Sequence, residues 1–252
     1  MTSMPVEVRV VKTRICCCCG YKSVSSLNET SSSAGALCSS ERSFRVVVII
    51  MFVVACFATI SPAHADQFQK MFGLHEVPQS DINVFPQWVS VLDQQSATKP
   101  ECSKQQDNGC AVAAWQQFLQ GIRHLPAAEQ LQAVNRFANK HSYVGDTDNY
   151  GAEDYWARPS QFLNNGGDCE DFAITKFLSL KQLGWPPESM RIVVVQDTKL
   201  KMPHAVLAVV NDEQLWILDN QTQKIVSDQA IAHYTPVYSL SDGQWWLHKP
   251  QI

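Results

Sequence analysis

The strongest constraint on the fold of this chain is a six-residue stretch, Gly166-Gly167-Asp168-Cys169-Glu170-Asp171. Two glycines permit a tight turn, and aspartate at position 168 is a residue type that favours the N-cap of a helix. The residues that follow repeat apolar side chains at helical spacing until Gly184 and Pro186 give a stop signal. The sequence therefore predicts a helix that begins at Cys169.

A cysteine in the first turn of a helix is either a nucleophile or a buried core thiol. The helix dipole and the unpaired N–H groups favour the thiolate form of Cys169. Its neighbours Asp168, Glu170 and Asp171 argue against burial, because three carboxylates are costly to desolvate. We therefore interpret Cys169 as a reactive cysteine.

The first 65 residues differ in character from the rest of the chain. An apolar run from Val46 to Ile60 follows two arginines and is shorter than the roughly 20 residues that a membrane-spanning helix needs. A small-x-small pattern, Ala63-His64-Ala65, then stands where a signal peptidase would cut. We predict a signal peptide at residues 42–65. The alternatives are a lipoprotein anchored at Cys56 and an uncleaved membrane anchor.

Residues 1–41 contain four adjacent cysteines and a serine-rich patch, and they show no periodicity. We interpret them as a non-structured extension or as the product of a start codon assigned too early. One domain is predicted at residues 66–252, where 14 lysines and arginines stand against 21 aspartates and glutamates, a net charge of −7. This acidity argues against nucleic acid as a partner.

Three cysteines remain in the predicted domain. Cys102 and Cys110 bracket a short polar loop of a length that a disulfide closes easily, and export to an oxidising compartment favours this pair. Cys169 is then left as an unpaired thiol, which agrees with a reactive role.

Periodicity divides the domain into helices first and strands later. Apolar spacing predicts helices at 111–119 and 126–141, ahead of the helix that begins at Cys169. Runs rich in β-branched residues then predict strands at 190–196, 205–210 and 215–218, with a terminal strand at 244–248. Polar turns between these runs favour consecutive antiparallel strands that form a sheet against the Cys169 helix.

The stretch 143–165 is predicted to be an aromatic and acidic loop. Asp146, Asp148 and Gly151 match three positions of an EF-hand loop, but Ala157 stands where that loop needs a bidentate glutamate. The stretch is therefore not an EF-hand. It is a candidate for lining a substrate groove or for lending a ligand to a nearby metal.

A histidine and an aspartate follow the cysteine in an order that suits a cysteine hydrolase, which needs a base for its thiol and a third group to orient that base. His204 opens a predicted strand directly after a loop, and Asp219 closes the next strand. Neighbouring antiparallel strands place such residues side by side. Either residue alone has an ordinary structural explanation, but the three together predict a triad of Cys169, His204 and Asp219.

These residues resemble the bacterial transglutaminase-like cysteine peptidases of the LapG type. The matching segments are Asp154-Tyr155-Trp156, Pro159, the stretch 166–171, His204-Ala205-Val206-Leu207 and Leu218-Asp219-Asn220, and the resemblance extends from about residue 70 to the C-terminus. It implies an α+β, papain/transglutaminase-like fold in which the nucleophile helix packs on an antiparallel sheet. It also implies that Cys169 is the nucleophile, His204 the base and acid, and Asp219 the orienting group.

The same resemblance implies a calcium ion bound by Asp168, Glu170 and Asp171. Hard oxygen ligands suit Ca²⁺, which would also relieve the repulsion among the carboxylates. The alternative is that Asp168 only caps the helix while Glu170 and Asp171 complement its dipole.

The implied activity is that of a periplasmic, calcium-dependent endopeptidase. Such an enzyme cuts the N-terminal region of a large surface adhesin and so controls biofilm attachment and dispersal. Its implied partner is the periplasmic domain of an inner-membrane cyclic-di-GMP receptor. The alternatives are acyl transfer to an amine, cleavage of a peptidoglycan amide, and a non-catalytic periplasmic binding or scaffold protein of the same fold.

Overall fold

The structure is a computed structural model that describes residues 68–97 and 107–250. All of these residues belong to one compact unit, 60–252. The predicted signal peptide at 42–65, the extension at 1–41 and both Cys56 and Cys102 lie outside the described residues, so the interpretations made for them stay predictions.

Six α-helices are present in the described residues: α1 Pro86–Ala97, α2 Asp107–Ile122, α3 Ala127–Ala138, α4 Asp146–Tyr150, α5 Pro159–Asn165 and α6 Cys169–Leu183. Helix α6 begins at the predicted residue and ends at Gly184, whose φ of 100° is left-handed. The helices predicted around 111–119 and 126–141 are confirmed as α2 and α3. Within residues 68–97 and 107–250, none of the helices is both long enough and apolar enough to cross a membrane.

The prediction of a loop at 143–165 was wrong, because this stretch contains both α4 and α5. Helix α5 has a proline in its first turn, and the side chain of Gln161 accepts a hydrogen bond from the backbone N–H of Arg158 at 3.3 Å. A helix this short has no room for a repeated apolar period, so its sequence signal lies in its N-terminal residues alone.

In the described part of the chain, seven strands form one antiparallel sheet in the order β1-β7-β6-β2-β3-β4-β5. They are β1 His75–Gln79, β2 Met190–Asp197, β3 Met202–Asn211, β4 Gln214–Leu218, β5 Val226–Ser227, β6 Tyr234–Leu240 and β7 Trp245–Lys249. Strands β2, β3, β4 and β7 confirm the predicted strands, whereas β1, β5 and β6 were not predicted. The α+β class and the antiparallel sheet are therefore confirmed.

The sheet is buried on both faces. On one face, Ile192 of β2 and Leu207 of β3 pack in the same cluster as Ile174 and Phe177 of α6. On the other face, the alternate residues, including Val193, pack in a second cluster with Phe68 and Met71 from the start of the described chain. Burial on both faces explains why β2 is a continuous apolar run rather than an alternating one.

A buried ion pair ties the first strand to the centre of the sheet. The Nε atom of Arg191 in β2 donates to Oε1 of Glu76 in β1 at 3.2 Å. The guanidinium carbon lies 4.2 Å from the ring centroid of Phe68 and 3.6 Å from that of Trp246. The hydroxyl of Ser239 also donates to Glu76, at 3.0 Å. This charge pair is thus enclosed by aromatic rings and tied into a hydrogen-bond network.

Candidate active site

The turn into α6 requires both of its glycines. Gly166 has a φ of 75°, and a Cβ there would overlap the backbone oxygen of Ser142. A Cβ on Gly167 would overlap the carboxylate of Asp171, whose Oδ1 accepts a hydrogen bond from the backbone N–H of Ala157 at 2.6 Å. The turn thus permits the Asp171 side chain to fold back against the backbone that precedes the helix.

Asp168 occupies the N-cap position of α6, as predicted, but its side chain accepts no capping hydrogen bond from the described backbone. Its Oδ1 is buried and has no hydrogen-bond partner among the described residues. Burial, together with the charge of Glu170, raises the pKa of Asp168 to about 9. The side chain therefore lies at the helix start without making the hydrogen bond of a cap.

Cys169 is half-buried, and its Sγ donates a hydrogen bond to Oε2 of Glu170 at 3.2 Å. The backbone N–H of Ala205 in β3 lies near the same sulfur and acts to lower the pKa of the thiol. Burial raises the pKa of Cys169, and the charges of Glu170 and Asp168 raise it further. The expectation of a depressed thiol pKa was therefore wrong for the protein without a cation, because burial and like charges outweigh the helix dipole.

His204 and Asp219 form a buried pair beside this thiol. Nε2 of His204 lies 2.9 Å from Oδ1 of Asp219, which also accepts the backbone N–H of Gln221 at 2.9 Å, and Oδ2 accepts the hydroxyl of Tyr234 at 2.7 Å. Burial acts in the opposite direction, but these hydrogen bonds and the charge of His204 hold the pKa of Asp219 below its usual value. Lys176, fully buried on α6 and attracted by Asp219, has a pKa lowered to about 7 by burial.

The sheet brings this pair to the cysteine. His204 and Ala205 are consecutive residues of β3. Because the backbone of Ala205 lies near the sulfur of Cys169, the imidazole of His204 is carried by the adjacent position of the same strand. Asp219 follows β4, which pairs with β3. The three residues predicted as a triad are thus gathered at one end of α6.

Acidic side chains meet on the other side of Cys169 in two groups that share Asp146. One group joins Asp146 with Asp154 and Glu170, and the other joins it with Asp168 and Asp171; in each, the carboxylate oxygens lie within 4.8 Å of one another. The sequence predicted three of these residues as metal ligands. Asp146 and Asp154 both belong to the stretch 143–165, for which the sequence predicted only that it could lend a ligand to a nearby metal.

These carboxylates fit a divalent cation. Three of their oxygens, Oδ1 of Asp146, Oδ1 of Asp168 and Oδ2 of Asp171, are buried without a hydrogen-bond partner in the described part of the chain. Burial, together with the neighbouring carboxylates, raises the pKa of Asp146, raises that of Asp168 to about 9 and raises that of Asp171 to about 8. An oxygen-only donor set of this charge suits Ca²⁺.

A cleft of about 310 Å³ adjoins the acidic groups, between α1 and the segment 155–161. Gln87 and Trp156, which line it, donate to the two carboxylate oxygens of Asp154 at 3.1 and 3.0 Å. The stretch 143–165 supplies carboxylates to the acidic groups and side chains to this cleft, and its predicted roles as a metal ligand and in a substrate groove stay predictions.

Cys169 is the free cysteine among residues 68–97 and 107–250. Cys110 is disulfide-bonded. Its predicted partner, Cys102, lies outside the described residues, so the pairing of these two residues stays a prediction.

Comparison with known proteins places this arrangement in a family. Residues 95–248 match the bacterial transglutaminase-like cysteine proteinases (BTLCP), and the chain belongs to that family. The resemblance noted in the sequence is thereby confirmed, and with it the transglutaminase-type fold.

Solved structures of Legionella pneumophila LapG are similar to this chain at 29% identity. One LapG structure, an EGTA-treated one and a calcium-bound one each match with a TM-score of 0.51 and cover 64% of this chain. The matches span 87%, 84% and 87% of the respective LapG chains. No curated protein sequence gives a significant match.

Proposed function

We propose that the protein is a calcium-dependent cysteine endopeptidase in which Cys169 is the nucleophile, His204 the base and acid, and Asp219 the group that orients His204. The observation that carries the proposal is the buried His204–Asp219 pair, with 2.9 Å between Nε2 and Oδ1, because His204 lies in β3 next to Ala205, whose backbone is near the sulfur of Cys169. A family of cysteine proteinases provides the reaction class.

The roles follow from which atoms are already engaged. Because Nε2 of His204 is held by Asp219, Nδ1 is the ring nitrogen that takes the proton of the thiol. The thiolate attacks the scissile carbonyl, and the imidazolium gives its proton to the leaving amine. Water activated by His204 then hydrolyses the thioester. Backbone N–H groups at the start of α6 are suited to hold the oxyanion.

Five carboxylates would hold the cation: Asp146, Asp154, Asp168, Glu170 and Asp171. Bound there, calcium supplies the positive charge that these groups lack. Its presence in one LapG structure supports the choice of metal. Glu170 would have a second role, because its carboxylate also accepts the hydrogen bond of the Cys169 thiol. That hydrogen bond must break before His204 can accept the proton of the thiol.

We extend the proposal to substrate and place of action by similarity to LapG-type proteases. The substrate is the N-terminal region of a large surface adhesin, the compartment is the periplasm, and the result is control of biofilm attachment and dispersal. Regulation comes from the periplasmic domain of an inner-membrane cyclic-di-GMP receptor. The leader-like residues 42–65 support export.

The test is cleavage of an adhesin N-terminal fragment that contains a double alanine, the cleavage site that the resemblance to LapG-type proteases implies. The purified protein is assayed with calcium, with chelator, and as the Cys169→Ala variant. We expect cleavage only in the first condition. Cleavage that survives chelation would contradict the metal requirement, and cleavage by Cys169→Ala would contradict the nucleophile.

Two further assays separate the proposal from its alternatives. Incorporation of a fluorescent amine in place of hydrolysis would assign acyl transfer, which uses the same thioester. Full cellular function of Cys169→Ala would assign a non-catalytic binding role. We expect neither result.

A further inference from the structure

Tyr234 is a buried residue that contacts the candidate triad from a separate strand. It is the first residue of β6, which pairs with β2 and not with the strands that carry His204 and Asp219. Its side chain is 6% exposed, and its hydroxyl donates to Oδ2 of Asp219 at 2.7 Å. The other oxygen, Oδ1, faces His204 and the backbone N–H of Gln221. Asp219 is therefore held from two sides.

The phenol ring is itself fixed by packing. Its centroid lies 5.6 Å from that of the His204 ring, 4.6 Å from that of His233 and 6.0 Å from that of Phe72. Burial and the charge of Asp219 raise the pKa of Tyr234, so the hydroxyl stays protonated and remains a donor. The geometry therefore gives Asp219 a permanent donor on the oxygen that His204 does not use.

An orienting carboxylate works only while its own rotation is prevented. It selects the imidazole tautomer and the ring angle, and an orienter that turns away loses both. Without the hydroxyl of Tyr234, Oδ2 of Asp219 has no donor among the described side chains, and the carboxylate gains freedom to rotate. Packing alone does not replace this bond, because the ring contacts are to His204, His233 and Phe72 rather than to the carboxylate.

We propose that Tyr234 is a positioning residue that acts through Asp219, holding Oδ1 towards Nε2–H of His204 and so leaving Nδ1 directed at the thiol. This inference deepens the proposed function and rests on it. It predicts that loss of one hydroxyl, without loss of the ring, lowers turnover while leaving substrate binding unchanged.

The experiment compares the wild-type protein with Tyr234→Phe and with a matched control, Ser239→Ala. Both changes delete a buried hydroxyl from β6, but that of Ser239 donates to Glu76 at 3.0 Å, away from the triad. For Tyr234→Phe we expect kcat to fall about tenfold with KM unchanged, equivalent to about 1.4 kcal/mol of transition-state stabilisation. For Ser239→Ala we expect kcat to stay within about twofold of wild type.

A second readout does not depend on cleavage. In ¹⁵N NMR spectra recorded at a pH where the ring is neutral, wild-type His204 is expected as a single tautomer protonated at Nε2, and Tyr234→Phe as a mixture of tautomers. The proposal is overturned if the tautomer is unchanged, or if Ser239→Ala lowers kcat as much as Tyr234→Phe does. If the wild type cleaves no substrate, the endopeptidase proposal fails, while the tautomer still decides the role of Tyr234.

Thermal unfolding shows whether Tyr234→Phe is folded. If Tyr234→Phe does not fold, the wild-type protein is measured by NMR instead. A slowly exchanging hydroxyl proton on Tyr234, with a nuclear Overhauser contact to the ring of His204, supports the proposal. The absence of that signal overturns it.

Discussion

On one side of Cys169, both carboxylate oxygens of Asp219 have hydrogen-bond donors, whereas on the other side Asp146, Asp168 and Asp171 each keep a buried oxygen that no described group satisfies. Both sides are built from buried carboxylates, yet their pKa values move in opposite directions. On the histidine side, which consists of His204 and Asp219, protein groups supply a hydrogen-bond donor to each oxygen of Asp219. On the acidic side, we propose that a cation supplies the positive charge that the described residues lack.

Removing the nucleophile is expected to have the largest effect. Cys169→Ala should lower cleavage at least about a thousandfold, because the thioester can no longer form. The acidic side should keep its affinity for calcium, since no carboxylate is changed. The measurement is the cleavage rate together with the melting temperature in calcium and in chelator. A melting temperature that no longer responds to calcium would show that the two sides are not separable.

A matched pair of aspartates in α4 tests the acidic side. Asp146 is buried and belongs to both acidic groups, whereas Asp148, two residues away, is exposed and belongs to neither. Asp146→Asn should weaken calcium binding, measured by titration calorimetry, and calcium-dependent cleavage by about 10- to 100-fold. Asp148→Asn should change neither by more than about twofold. Equal effects of both substitutions would mean that only the net charge of the region matters.

A matched pair of glycines tests the same side through packing. In Gly167→Ala the new Cβ would overlap the Asp171 carboxylate, and the free energy of unfolding should fall by about 1–3 kcal/mol. A Cβ on Gly145, whose φ of −70° suits any residue, meets no described atom within 4 Å, so Gly145→Ala should cost less than about 0.5 kcal/mol. Urea unfolding measures both. A tolerated Gly167→Ala would show that Asp171 does not need its observed position.

The smallest expected effect is a pH dependence of stability that calcium removes. The pKa values of Asp168 and Asp171, about 9 and about 8, lie above those of the same groups in an unfolded chain. At any pH between the unfolded and the folded pKa of a group, the folded protein therefore binds more protons than the unfolded chain. Without calcium, this contribution to stability is lost as the pH rises towards 8 to 9. Asp219, with a lowered pKa, contributes stability that is lost only as the pH falls below the usual carboxyl range.

Melting temperatures measured at about pH 6, 7 and 8 check this prediction. With chelator they should decrease as the pH rises, and with calcium the decrease should disappear, because the cation favours the ionised carboxylates. A chelated protein that becomes more stable between about pH 6 and pH 8 would contradict the assignment of raised pKa values to the acidic side.

The sequence predicted those strands whose apolar runs are uninterrupted. It missed the two-residue strand β5 and also β1 and β6, which contain the prolines Pro78 and Pro236. Proline usually lies at sheet edges or irregularities, and both exceptions obey that rule: β1 is an edge strand of the described sheet, and Pro236 lies opposite Val195 where the register between β2 and β6 shifts. Only the tertiary structure supplies that context.

The candidate site was predictable where its residues lie in a recognisable order along the chain. Cys169 begins α6, His204 lies near the start of β3 and Asp219 directly follows β4, so their positions could be inferred from the predicted element boundaries. Asp146 is distant from Asp168 along the chain, and only the fold brings the two together. The backbone N–H of Val144 donates to the carbonyl of Gly167 at 2.9 Å, which holds the segment of Asp146 beside the start of α6.

The predicted direction of the thiol pKa failed for a related reason. The helix dipole is a local property that a sequence reveals. Burial of Cys169 and the approach of neighbouring carboxylates depend on how distant segments pack, and these effects are larger.

The pairing of the first strand with the last determines how the fold would respond to force. His75 at the start of β1 lies opposite Lys249 at the end of β7. The chain therefore enters the first strand and leaves the last strand at the same end of this strand pair. Tension applied between His75 and Lys249 would break the hydrogen bonds of this strand pair one after another, in an unzipping geometry, instead of loading all of them at once in a shear geometry. Glu76 would leave with β1, at the sheet edge away from the strands that carry His204 and Asp219, and Arg191 would lose its counter-ion.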